Sequence, residues 1–138
     1  KRVKNDPVKT DPKMMNPAAL AYIGDAVYEV YVRDHVLTGG QTRVNRLHFM
    51  AVGYVRAASQ AKALREMMEG FLTDEEMSQA KRARNHRSSS VPRHADPVDY
   101  KLATAFEALI GYLYLRGDRK RMEDIIGEAI RIIEEEIP

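Results

Sequence analysis

Two apolar helical runs each carry a single acid. The first is Ala21-Tyr-Ile-Gly-Asp25-Ala-Val-Tyr28 and the second is Ala103-Thr-Ala-Phe-Glu107-Ala-Leu-Ile-Gly111. A carboxylate among such neighbours is costly to bury unless it pairs, protonates or binds a cation. Both acids sit beside Ala and Gly, whose small side chains let helices approach closely, so the two carboxylates can meet. An arginine partner for either acid is the alternative, and composition and spacing do not separate the two. If the acids converge, a chain without cysteine points to a hard oxygen-ligated cation, Mg²⁺ first among them.

The rest of the 138-residue chain is organised as helices. Residues 1–15 are polar, contain Pro7 and Pro12, and read as an irregular N-terminal arm; residues 16–138 form one domain. Asn16-Pro17 opens a first helix that stops before Gly39-Gly40. A second helical stretch runs from about Thr42 to Met68, with Gly53 inside it and a break or bend expected near Val52 to Tyr54. Thr73-Asp-Glu-Glu76 has the form of a capping box and starts a helix through about Arg84. Asp96-Pro97 opens the helix that carries Glu107 and ends near Gly117, and a last helix covers about Arg119 to Glu136. No segment alternates like a strand, so the expected fold is all-α with about six helices. No apolar run reaches membrane-spanning length.

On these helices Asp25 shares a face with Glu29, and Glu107 shares one with Thr104. Packing through those faces brings Asp25 and Glu107 together, with Glu29 as a further acid and Thr104 as a hydroxyl nearby. Charge is bipolar. Residues 81–94 hold five Lys/Arg (Lys81, Arg82, Arg84, Arg87 and Arg93) and no acid, whereas the charged residues of 123–136 are mostly acidic. The basic segment is the candidate surface for a polyanion, with a solvated loop as the plainer reading. None of the four histidines has the spacing of a zinc site.

Tyr22-Ile-Gly-Asp25-Ala-Val resembles the Phe-Leu-Gly-Asp-Ala-Val-type signature of the ribonuclease III catalytic domain. Thr104-Ala-Phe-Glu107-Ala-Leu-Ile-Gly111 resembles that family's second acidic motif, in the right order and about eighty residues on. The resemblance covers roughly residues 16–136, with no room for the double-stranded-RNA-binding domain that usually follows. With that, Ala21-Tyr-Ile-Gly-Asp-Ala-Val-Tyr-Glu29 and Lys81-Arg-Ala-Arg-Asn85 look like the short bacterial Mini-III branch. Three positions that are usually acidic in the wider family are Ala18, Ala21 and Thr104 here, so only Asp25 and Glu107 carry over as catalytic and metal-binding residues.

The resemblance implies a Mg²⁺-dependent endoribonuclease, a hydrolase that cuts double-stranded RNA. It implies a homodimer in the bacterial cytoplasm that matures the precursor of large-subunit (23S) ribosomal RNA, with a ribosomal protein as a further partner that would present it. RNA would lie against Lys81, Arg82, Arg84, Arg87 and Arg93. The rival reading is a non-catalytic ribonuclease III-like protein that binds RNA or associates with the ribosome.

Overall fold

The computed structural model describes residues 10–87 and 91–136, and no strand occurs among them. After a single 3₁₀ turn at Pro12–Met14 come α1 (Pro17–Leu37), α2 (Val44–Val55), α3 (Ala57–Met67), α4 (Asp74–Asn85), α5 (Pro97–Arg116) and α6 (Arg119–Glu134). The all-α reading with six helices therefore holds. Of the residues read as an arm, 1–9 lie outside the described residues, as do Ser88–Ser90 of the basic segment.

The ends of the helices follow from side chains that satisfy their orphan backbone groups. The Asn16 side chain accepts from Ala18 N (2.8 Å), with Pro17 at the first helical position. At α4 both halves of the capping box form: Glu76 N donates to Thr73 Oγ1 (3.1 Å) and Thr73 N donates to Glu76 Oε1 (2.9 Å). Asp96 caps α5 by accepting from Val98 N and Asp99 N. Gly117 ends it in the left-handed region (φ 84°), where a Cβ would be strained.

The break between α2 and α3 falls at Arg56 (φ −62°, ψ 150°), not at Gly53, which stays helical. The reason lies downstream in the chain. The Ser59 hydroxyl donates to Gly53 O (2.7 Å) and the Gln60 amide donates to Val55 O (2.7 Å), so two side chains of α3 satisfy the carbonyls that end α2. Arg56 Nε in turn donates to Ser59 Oγ (3.0 Å). Glycine's backbone freedom is not needed where the broken ladder is repaired this way.

Helix α5 is the hub. From Leu102 to Leu113 it buries ten residues on all sides, against α1, α3, α4 and α6. The amphipathic α6 closes one side with Met122, Ile125, Ile126, Ala129, Ile130, Ile132 and Ile133. Its first turns are tied to α4 by a buried ion pair, Arg121 Nε to Glu76 Oε2 at 2.8 Å, while Arg121 Nη2 also donates to Phe71 O. The most extensive pairing is α1 with α5. Gly24 and Gly111 make it possible. A Cβ on Gly24 would lie 1.7 Å from the Glu107 carbonyl oxygen, and one on Gly111 would lie 1.9 Å from that of Leu20. Backbone rests on backbone at both points.

Candidate active site

That crossing sets the positions of the two lone acids. Asp25 follows Gly24, and Glu107 is the residue whose carbonyl Gly24 touches, so the two carboxylates emerge side by side from the seam between α1 and α5. They face an open cleft of about 490 Å³. Ala18, Ala21, Tyr22 and Asp25 of α1 form one wall, Tyr100, Lys101, Thr104 and Glu107 of α5 the other, and His86 and Arg87 close the end beyond α4.

Asp25 is exposed, whereas Glu107 is partly covered. Burial, and then the charge of Asp25, push the Glu107 carboxyl up to about 8, with the Gln60 amide acting against them. That amide is a weak partner: Gln60 Nε2 is 3.4 Å from Glu107 Oε2 and gives its short bond to Val55 O. Neither acid has an arginine partner among the described residues. The chain does neutralise a buried acid with an arginine, but that acid is Glu76. Asp25 and Glu107 are thus a pair that opens on water with no arginine to neutralise it, held off from double ionisation by a proton on Glu107 that a cation would replace.

The other residues read from the sequence divide. Glu29 does not join the pair. It lies one turn along α1, where it pairs with Arg33 (3.2 Å) and borders a separate groove between α1 and α2. Thr104 lines the cleft, but its hydroxyl donates to Tyr100 O (2.9 Å) inside the helix. Ala18 and Ala21 also line the cleft, so the places where the wider family has acids are present and empty of carboxylate. Among the described residues no group of three or more His, Asp or Glu is placed to share an ion.

Of the five cations, Arg87 reaches the cleft. Arg84 lines a neighbouring groove with Arg65, Asn85, Val98 and Lys101. Lys81 and Arg93 are exposed. Arg82 is turned inward: it donates to Met15 O (2.8 Å) and to Gln79 Oε1 (3.1 Å), and its Nε is buried. It is a tie between α4 and the start of the chain rather than a free phosphate ligand.

Sequence reasoning passed over Lys101 and Gln60. The signal for Lys101 was there: Lys101, Thr104 and Glu107 recur every three residues and so lie on one side of α5. Gln60 had none, because its place beside Glu107 depends on the break at Arg56.

The Ribonuclease III domain family matches residues 18–118, a span that runs from the start of α1 to just past α5 and holds both acids. The chain belongs to the ribonuclease III family. It is 44% identical over 126 residues to a Mini-ribonuclease 3 of Enterococcus faecalis, covering 91% of this chain and 96% of that one. It is 43% identical over 134 residues to a Mini-ribonuclease 3 of Brevibacillus brevis, covering 97% and 99%. The fold is similar to the crystal structure of a Fusobacterium nucleatum protein, with a TM-score of 0.77 and 29% identity over 89% of this chain and 98% of that one. Family membership makes the chain an endoribonuclease, and the ribonuclease III family acts on double-stranded RNA. No helix among the described residues is long and apolar enough to cross a membrane.

Proposed function

We propose that this chain hydrolyses double-stranded RNA in the cleft between α1 and α5, with Asp25 and Glu107 holding Mg²⁺. The observation that carries this reading is the backbone contact between Gly24 and Glu107, which forces two unpaired acids together at the floor of a cleft edged by Lys101, Arg87 and His86. The residues fit the ion. Mg²⁺ takes one or two carboxylates and otherwise keeps its waters, and an exposed Asp beside a partly covered Glu supplies two with access to solvent. Bound there, the ion would activate water and stabilise charge on a phosphoryl oxygen. The protein's part is to fix the two carboxylates by helix packing and to present cations to the flanking phosphates. Ala18 and Ala21 keep the α1 wall low enough to admit a sugar–phosphate backbone.

The active form is a homodimer. Tyr22, Val30, Val44 and Phe49 are 84%, 65%, 79% and 80% exposed, a set of large apolar side chains on α1 and α2 that a second copy would cover. A duplex held by shape and phosphates would then meet one cleft per strand. The substrate that the Mini-III branch implies is the large-subunit ribosomal RNA precursor in a bacterial cytoplasm. A Mg²⁺ titration with a labelled RNA duplex tests the reading: cleavage that leaves 5′-phosphate and 3′-hydroxyl ends supports it. Binding without cleavage would instead support the rival reading of a non-catalytic RNA-binding protein, which Ala18, Ala21 and Thr104 at usually acidic positions keep open.

A further inference from the structure

Lys101 stands on the same wall as Glu107, six residues earlier on α5 and so about 9 Å along the helix axis. Its side chain borders both the cleft that holds the acids and the neighbouring groove of Arg84 and Asn85. It is exposed and makes no ion pair among the described residues. Asp99, the acid closest to it in sequence, is taken by Arg65 at 3.0 Å. No ion pair joins Lys101 to Asp25 or to Glu107, although all three line the cleft. The ammonium therefore stands off from the acids rather than bridging to them, and leaves a gap between cation and carboxylates.

Charge accounting says what fits that gap. Two ionised carboxylates cancel the charge of one divalent cation. A phosphodiester under attack brings a negative charge and gains another as a water adds and loses its proton. Among the described residues the cleft has no further carboxylates to hold a second ion, since Ala18, Ala21 and Thr104 occupy those places and Glu29 borders a separate groove. A cation on the wall that carries Glu107 can oppose the added charge, whereas Arg87 lies at the end of the cleft beyond α4.

We propose that Lys101 binds the phosphate being cleaved, its ammonium donating to a non-bridging oxygen. In that step a water gives up a proton to solvent as its oxygen bonds to phosphorus, the bond from phosphorus to the 3′-oxygen breaks, and the departing oxygen takes a proton from solvent. Lys101 keeps its own proton and stabilises the charge on phosphorus. The proposal rests on the proposed function above and adds to it a residue that touches the reacting group.

The chain has no cysteine, so Lys101→Cys introduces a single thiol. Single-turnover cleavage by Lys101→Cys should fall about a hundredfold. Treatment with 2-bromoethylamine converts the thiol to an aminoethyl side chain with an ammonium near its original place, and should recover about tenfold. Iodoacetamide, which adds a neutral group of similar size, should recover nothing. Binding provides the second readout. In an Asp25→Asn background without divalent cation, Lys101→Gln should lower the salt slope for duplex RNA by roughly 0.7 to 0.9, the value of one neutralised phosphate. Near-wild-type cleavage by Lys101→Cys, equal recovery with both reagents, recovery with neither, or an unchanged salt slope would each overturn the proposal. If the unmodified protein fails to cut duplex RNA, the failure belongs instead to the proposed function.

Discussion

Gly24 rests on Glu107: a Cβ at residue 24 would lie 1.7 Å from the Glu107 carbonyl oxygen and 2.8 Å from the amide nitrogen of Gly111. The residue before one acid thus touches the backbone of the other. The obstacle is main chain, which cannot rotate away as a side-chain tip would. Gly24→Ala should push α1 off α5, cost about 1–3 kcal/mol or more, and abolish cleavage. Gly127→Ala is the control. It lies within α6 with nothing within 4 Å of an added Cβ, so it should stabilise by about 0.5–1 kcal/mol and leave cleavage unchanged. Thermal melts of both variants with parallel cleavage assays check this. A Gly24→Ala protein of wild-type stability and activity would show that the crossing does not hold the site.

Asp25→Asn and Glu107→Gln should each stop cleavage while preserving the fold and RNA affinity. The amide keeps the shape and loses the charge that holds a cation. Metal-free stability carries a further signature. With its carboxyl raised to about 8, native Glu107 keeps a proton that the unfolded chain releases near the ordinary value of 4.5. Between those values the unfolded state binds fewer protons, so stability should fall as pH rises through this window, by on the order of a few kcal/mol at most. Glu107→Gln should flatten the decline. Denaturant melts at several pH values in EDTA decide it, and a wild-type curve as flat as the variant's would count against the buried pair.

The same linkage applies to the cation. Mg²⁺ must displace the proton from Glu107, so apparent affinity should rise with pH up to about 8 and binding near pH 6 to 7 should release close to one proton. Calorimetry in two buffers of different ionisation enthalpy measures that release. Equal heats in both would remove Glu107 from the ion's ligands.

How much of this site could be read from sequence depends on the reach of each interaction. The caps at Asn16, Thr73 and Asp96 are decided within three residues, and the structure forms each of them. The meeting of Asp25 and Glu107 is a long-range event, yet its cause is written locally, as a glycine beside one acid and another four residues beyond the second. Other partners left no such trace. Glu29 has the spacing to face the site and is drawn off by Arg33. Arg82 sits among cations and is taken by Met15 O, from a segment that pattern reading treats as irregular. The break at Arg56 looked like a matter for Gly53, because what settles it is two side chains of the next helix.

Glu76 supplies the contrast to the acid pair. Burial alone would raise its carboxyl, but hydrogen bonds from Arg121 and the Thr73 backbone outweigh that and hold it below the usual range. Its contribution is present at neutral pH and should be lost as pH falls below the ordinary carboxylate value. Arg121→Met, which leaves the acid without its partner, should cost about 3–5 kcal/mol. Glu76→Gln with Arg121→Met together should cost less than the sum of the single changes, and additive losses in chemical denaturation would deny the coupling.

The basic segment separates into cations that face solvent and one that does not. Arg84→Ala and Arg87→Ala, placed together in the Asp25→Asn background, should weaken duplex RNA binding and lower its salt slope by roughly 0.7 to 0.9 for each phosphate left without its cation. Arg82→Ala should behave differently. Its guanidinium already serves Met15 O and Gln79, so its removal leaves a carbonyl unsatisfied and should cost about 1–3 kcal/mol of stability while the salt slope stays as it was. Salt titrations of RNA binding beside thermal melts distinguish the two roles. A reduced slope for Arg82→Ala at wild-type stability would put that residue back among the RNA contacts and take it out of the fold.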